Sequence, residues 1–159
     1  MITLQAVTLK NVIEIIYDLE ADENLVDPNV VSLAQAYAYY SEYGENPIVY
    51  AIYHVDTPVG FILAVYAPPV GFVPIDNDGQ PYYYLWRMMI DKKYQNKGYG
   101  RQAMELLLLK VKSHYRGEAN AFYTSVMPES DITPKFYASF GFAKTGEIDG
   151  DAKIMRLPL

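Results

Sequence analysis

The stretch Gln95-Asn96-Lys97-Gly98-Tyr99-Gly100-Arg101 decides how the rest of the chain is read. Before it lies Tyr82–Asp91, rich in β-forming residues. After it lies Gly100–His114, where Ala103, Leu107 and Val111 share one apolar face with Met104 and Leu108 beside it. A strand, a glycine-bearing turn and a long helix are expected in that order. Glycines let a backbone approach a ligand closely and adopt positive φ. At a helix start the N–H groups and the helix dipole together attract an anion. Lys92, Lys93, Lys97 and Arg101 make this the most basic stretch of an acidic protein. Two readings stand at this point: a cradle for a diphosphate, or a strand-to-helix turn that is merely basic. It is not the phosphate loop of nucleotide hydrolases, which needs Lys followed by Ser or Thr. It is not a dinucleotide fingerprint, because the third glycine is missing.

Working outward, Met1–Thr8 reads as a strand with Ile2, Leu4 and Ala6 on one face, and Leu9–Leu19 as a helix. Asp27-Pro28 signals a second helix, capped by Asp27 and running to Tyr43, with Gly44 as its stop. Pro47–Val55 and Val59–Ala67 flank Asp56-Thr57-Pro58 and read as a hairpin. Pro68–Pro81 is a proline-rich loop. Asn120–Met127 reads as a strand and Asp131–Phe140 as a short helix closed by Gly141. Phe142–Lys144 and Ala152–Leu157 read as final strands around a Glu147–Asp151 turn. The order β-α-α-β-β-β-α-β-α-β-β predicts an α/β protein, a mixed sheet with helices on both faces. The 159 residues are expected to form one domain.

Composition narrows the function. The net charge of −6 disfavours broad binding to nucleic acid or an anionic membrane and favours a cationic partner. The absence of cysteine removes disulfides, cysteine-bound zinc, iron–sulfur clusters and thiol nucleophiles. His54 and His114 are far apart, so no metal site and no catalytic triad is expected; His54 is expected near a hairpin turn and exposed. No apolar run approaches the ~20 residues that span a bilayer, and the first residues lack a signal-peptide pattern. A soluble, cytoplasmic protein is expected.

The turn and a second block of sequence together carry a resemblance. Gln95-x-x-Gly98-x-Gly100, following Met88-Met89-Ile90-Asp91, resembles the acetyl-coenzyme A motif of the GNAT superfamily of N-acyltransferases. Ser130-x-x-Thr133-x-x-x-Tyr137 followed by Phe140-Gly141-Phe142 resembles the family's Asn-x-x-Ala-x-x-x-Tyr and Gly-Phe, with Ser130 and Thr133 departing from it. The resemblance implies the GNAT fold, with the sheet splayed between Tyr82–Asp91 and Asn120–Met127, and acetyl-coenzyme A as co-substrate. It implies that the main chain of Met88, Met89 and Ile90 pairs with the pantetheine arm like an added strand. Gln95, Asn96, Lys97, Gly98, Tyr99, Gly100 and Arg101 would hold the pyrophosphate, and Ser130 would hydrogen-bond the cofactor over a shorter reach than Asn.

Tyr137 stands at the family's catalytic tyrosine. A phenol of pKa ~10 is a plausible acid toward a leaving thiolate whose conjugate acid has pKa ~8.5. Without the resemblance it would read as one packed aromatic among sixteen tyrosines. The attacking amine must lose a proton, and Glu20, Asp22, Glu23 and Glu42 are the acidic candidates for amine binding in the part of the chain that borders the family's acceptor pocket. Several carboxylates together suit a polycation. Arg87 reads as a solvent-facing strand residue or as one that orients a carboxylate near the pocket, with the surface reading preferred. Trp86–Arg101, Ser32–Tyr37 and Tyr137–Glu147 are similar to bacterial spermine/spermidine (diamine) acetyltransferases. The expected reaction is direct attack of a small cationic amine, with no acyl-enzyme. A protein N-terminus, a lysine, an amino acid or an aminoglycoside remain as other acceptors, and a non-catalytic coenzyme-A sensor as another class. Exposed aromatics are compatible with a homodimer.

Overall fold

The computed structural model describes residues 1–20 and 27–159. Seven strands form one sheet: β1 (Ile2–Ala6), β2 (Ile48–His54), β3 (Thr57–Tyr66), β4 (Tyr83–Ile90), β5 (Ala121–Val126), β6 (Ala143–Asp149) and β7 (Ala152–Pro158). Their spatial order is β1-β2-β3-β4-β5-β7-β6. All neighbours are antiparallel except β4 and β5, which makes the sheet mixed as expected. The helices are α1 (Val12–Tyr17), α2 (Asn29–Tyr43), α3 (Tyr99–Lys112) and α4 (Ile132–Ala138), and their order along the chain is the predicted one. Among the described residues no helix is long and apolar enough to cross a membrane.

The strand alternation decides which helix covers which face. Ile52, Ile62 and Leu85 point to the side of α3 and α4, where Ala103, Met104, Leu107, Leu108 and Val111 line α3's apolar face. Ala51, Tyr53, Phe61 and Leu63 point to the other side and pack on Ile15 and Leu19 beside Ala36 of α2. Each large side chain buried this way stabilises the fold by about 1.5–3 kcal/mol.

Several boundaries differ from the sequence reading; Thr57 and Pro58, expected in the hairpin turn, already belong to β3. The first helix is shorter, because Leu9–Asn11 is a turn closed by side chains: Thr8 N–H donates to Asn11 Oδ1 (2.8 Å) and Lys10 N–H to Thr8 Oγ1 (3.2 Å). The second helix is not capped by Asp27; Pro28 is its N-cap, without a side-chain hydrogen bond, and the Asp27 carboxylate is drawn away to Arg87. The last hairpin is longer than expected. β6 runs on to Asp149, with its register against β7 broken between Lys144 and Ile148 where Gly146 takes φ +91°.

Candidate active site

The parallel pair at the sheet's centre is short. β4 and β5 are matched only at Tyr83↔Phe122, Tyr84↔Tyr123 and Leu85↔Thr124. Beyond Leu85 the strands part, and Arg87–Ile90 of β4 keep only β3 as a partner. The register against β3 passes from Leu63↔Arg87 to Ala64↔Leu85, so Trp86 is a bulge residue at the fork. The bulge has a consequence for direction. Leu85 and Met88 lie in the α3–α4 core, Met89 in the α1–α2 core, and Trp86 packs on the latter side, as does Arg87, whose partner Asp27 precedes α2.

Backbone alternation then identifies which groups of β4 face the gap. Asp91 N–H donates to Val59 O on β3 (3.0 Å), so the polar groups of Ile90 and Met88 point the other way, toward the gap. The Met89 main chain is directed to β3 and its side chain is buried. Of the three residues expected to offer main-chain groups, Met88 and Ile90 present them. The Ile90 carbonyl already accepts from Gln95 Nε2 (2.9 Å), so the Gln95 side chain braces the end of the strand.

Beyond β4 a single 3-10 turn, Lys92–Tyr94, leads into the glycine turn. Asn96 (φ +60°) and Gly98 (φ +76°) are both left-handed, a curl that brings successive N–H groups to one side. Gly98 caps α3 without any side-chain hydrogen bond, and the first helical bond is Gln102 N–H to Gly98 O (3.1 Å). The N–H groups of Tyr99, Gly100 and Arg101 therefore have no helical partner. This arrangement fits a diphosphate through main chain and dipole rather than through basic side chains. Those side chains are engaged elsewhere: Lys97 Nζ lies 5.4 Å from the Tyr94 ring centre, Arg101 donates to Ser139 Oγ (2.9 Å), and Lys93 Nζ is 3.7 Å from Asp91. Gly100 faces Ile90 and Phe136, and the Tyr99 ring stacks on His54 at 4.6 Å. His54 is consequently half-buried rather than exposed.

Tyr137 is 6% exposed, wedged between Phe136 (5.3 Å) and Phe142 (5.6 Å). Burial pushes its phenol up to about 12, opposed by the Thr124 hydroxyl beside it. Thr124 is the last β5 residue matched to β4, and its Oγ1 donates to Leu85 O (3.2 Å). The phenol thus sits at the fork, on the α3–α4 side. Ser130 is buried, and its hydroxyl accepts from Thr133 N–H (2.9 Å) and donates to Thr133 Oγ1, closing the first turn of α4 instead of pointing at the gap.

The acidic candidates are less well gathered. Asp22 and Glu23 lie outside the described residues. Glu42 is exposed at the end of α2, and the Glu20 side chain is exposed. Glu20 matters through its main chain, whose N–H donates to Asp91 Oδ2 (2.8 Å). Asp91 is fully buried and also accepts from Lys93 N–H (2.8 Å), so one carboxylate ties the segment after α1 to the start of the glycine turn. Nothing in the local sequence points to that contact. For Arg87 the preferred surface reading fails, and the side chain holds a carboxylate, as the other reading has it. Its guanidinium pairs with Asp27, donates to Trp86 O (2.8 Å) and lies 5.7 Å from the Trp86 ring centre.

Comparison with known proteins agrees with this geometry. The chain is similar over 99% of its length to the aminoglycoside acetyltransferase AAC(6')-Ib in complex with coenzyme A, with 95% of that chain covered, at 15% identity and a TM-score of 0.77. It is similar over 99% of its length to the ribosomal-protein-S18-alanine N-acetyltransferase from Escherichia coli, covering 94% of that chain, at 17% identity and 0.65. It is similar over its full length to the PaiA N-acetyltransferase from Thermoplasma acidophilum in complex with coenzyme A, covering 99% of that chain, at 16% identity and 0.62. These likenesses show the fold. No curated protein matches the sequence. The family model described as the acetyltransferase (GNAT) family matches residues 13–142, most of the chain and all of the fork and glycine turn. A mixed sheet parted at its centre, a left-handed turn opening α3 and that match together make the chain a member of the GNAT family, an N-acetyltransferase with acetyl-coenzyme A as its co-substrate.

Proposed function

We propose that the chain acetylates a primary amine of a small polyamine of the spermidine or spermine kind. The observation that carries the chemistry is the fork: main-chain groups of β4 and the Tyr137 phenol converge on one gap, with the α3 turn at its end. Support for a cationic acceptor is the net charge of −6 and the acids that the sequence carries at Glu20, Asp22, Glu23 and Glu42.

The co-substrate, when bound, supplies an activated acyl group and a diphosphate handle. The main-chain N–H groups of Asn96 to Arg101 would hold the diphosphate, and Met88 and Ile90 would align the arm against β4. Lys97 and Arg101 add positive charge at that end rather than direct ligands. Met89 contributes packing beneath the strand, and Ser130 positions α4 by closing its first turn. The Met88 N–H at the fork would polarise the acyl oxygen. The Tyr137 hydroxyl would hydrogen-bond the departing sulfur as its negative charge grows. Positioning supplies much of the acceleration.

The test is acetyl transfer to spermidine compared with a lysine peptide, an N-terminal peptide and an aminoglycoside, read by thiol release and by mass. One added acetyl on spermidine, with the highest kcat/KM of the set, is expected. Preferential transfer to any of the other acceptors would overturn the polyamine assignment.

A further inference from the structure

The α1–α2 side of the fork carries an aromatic wall built from three separate elements. Phe72, in the connection from β3 to β4, meets Trp86 edge-on at 4.9 Å. Tyr39 of α2 meets Phe72 at 5.2 Å and Trp86 at 6.2 Å. Phe72 and Trp86 are only half-buried, so the wall is open to a ligand. Tyr39 is 3% exposed, and its hydroxyl has no hydrogen-bond partner among the described residues.

Asp27 stands at the edge of this wall. The bulge sends Trp86 and Arg87 out on one face, and the guanidinium bridges the indole ring and the Asp27 carboxylate. The contact is one-sided. Arg87 binds a single Asp27 oxygen, the other oxygen is unpartnered among the described residues, and the side chain is 43% exposed. The Arg87 Nε is buried, so the guanidinium presents no open fork to an anion. What stands beside the Trp86 ring, bridged to it by Arg87, is a partly exposed carboxylate. That combination suits an ammonium on an aliphatic chain: methylenes lie along the rings and the cation meets the carboxylate. It disfavours an acceptor bearing its own carboxylate.

We propose that Asp27, positioned by Arg87 and linked through it to the Trp86 side of the aromatic wall, is the specificity-determining seat for a second ammonium group of the acceptor amine. The inference rests on the polyamine reading above and gives it a residue.

The test compares kcat/KM for 1,4-diaminobutane with that for butylamine, which has the same chain without the second cation. The wild type is expected to prefer the diamine. Asp27→Asn should lower the diamine-to-butylamine ratio about tenfold, as loss of a charge-assisted hydrogen bond predicts. Asp27→Glu should recover most of the ratio. Arg87→Gln, which leaves the carboxylate in place but unheld, should raise KM for the diamine more than for butylamine. Coenzyme A binding by calorimetry identifies the folded variants. A wild type with no preference, or a ratio untouched by both Asp27→Asn and Arg87→Gln, overturns this seat while leaving amine acetylation standing. Absence of thiol release with every amine would instead sink the parent reading and this one with it.

Discussion

Replacing Tyr137 by Phe removes one oxygen at the fork and little else. The ring stays wedged between Phe136 and Phe142, and Thr124 keeps its bond to Leu85 O. The stability cost is therefore that of one neutral hydrogen bond, about 1 kcal/mol. The chemical cost is larger. A phenol pushed up to about 12 stays protonated throughout the physiological range. Complete transfer to a thiolate whose conjugate acid lies at ~8.5 is therefore uphill. In the proposed mechanism the hydroxyl would thus act chiefly by hydrogen-bonding sulfur as its charge grows. An acid in that role contributes about 10²–10³ in rate. Tyr137→Phe should lower kcat by that factor with coenzyme A affinity changed less than about threefold, measured by single-turnover acetylation and calorimetry. The raised value also fixes the sign of the pH effect. Tyr137 loses its proton only as pH climbs toward 12, so it contributes no fall in rate between pH 7 and 10. A single-turnover rate equal to wild type would remove Tyr137 from the chemistry, and an alkaline limb below pH 10 that vanishes in the variant would contradict the burial argument.

Two further outcomes test the scaffold. Gly98→Val forces a β-branched residue to φ +76°; the nearest atom to an added Cβ, Gln102 Nε2, is 3.9 Å away, so the cost is backbone strain of about 1–3 kcal/mol rather than a clash. The variant should bind coenzyme A at least about tenfold more weakly, and normal binding would refute the cradle. Asp91→Asn turns an amide N–H₂ toward one of the two main-chain N–H groups the carboxylate now accepts, at a cost of about 2–4 kcal/mol and a melting point lower by ~5–12 °C. A shift under ~2 °C would show that the buried carboxylate is not the tie it looks to be.

Much of this architecture was legible from local pattern. Glycine spacing and α3's apolar face located the turn, and the alternation of strand and helix patterns yielded the element order. Tyr137 was different. Its surroundings in sequence do not separate it from fifteen other tyrosines, and only its place in the Ser130–Phe142 block marked it. What stayed hidden depends on partners distant along the chain. Asp91 reads as a strand end, yet its carboxylate meets the Glu20 main chain 71 positions away. Asp27 has the look of a helix cap because a cap needs only a local N–H, whereas the guanidinium that captures it lies 60 positions away. The bulge at Trp86 is a two-strand property, invisible in either strand alone. Thr8 and Asn11 trimmed α1 through side-chain bonds that hydrophobic periodicity does not register.

A sheet divided down its middle owns two interior borders as well as its two outer ones. Ordinary borders invite neighbouring molecules to stack on them. Here the two inner borders part beyond Leu85↔Thr124 beside α3 and α4, and in the proposed function an amide-bearing chain would lie along the β4 border. The same separation that would be a flaw in a purely structural protein therefore becomes a filter. In the proposed function, recognition of the co-substrate would be written into unsatisfied backbone, which substitution of side chains does little to erase, and the acceptor side would be free to change its preferences without disturbing the donor side.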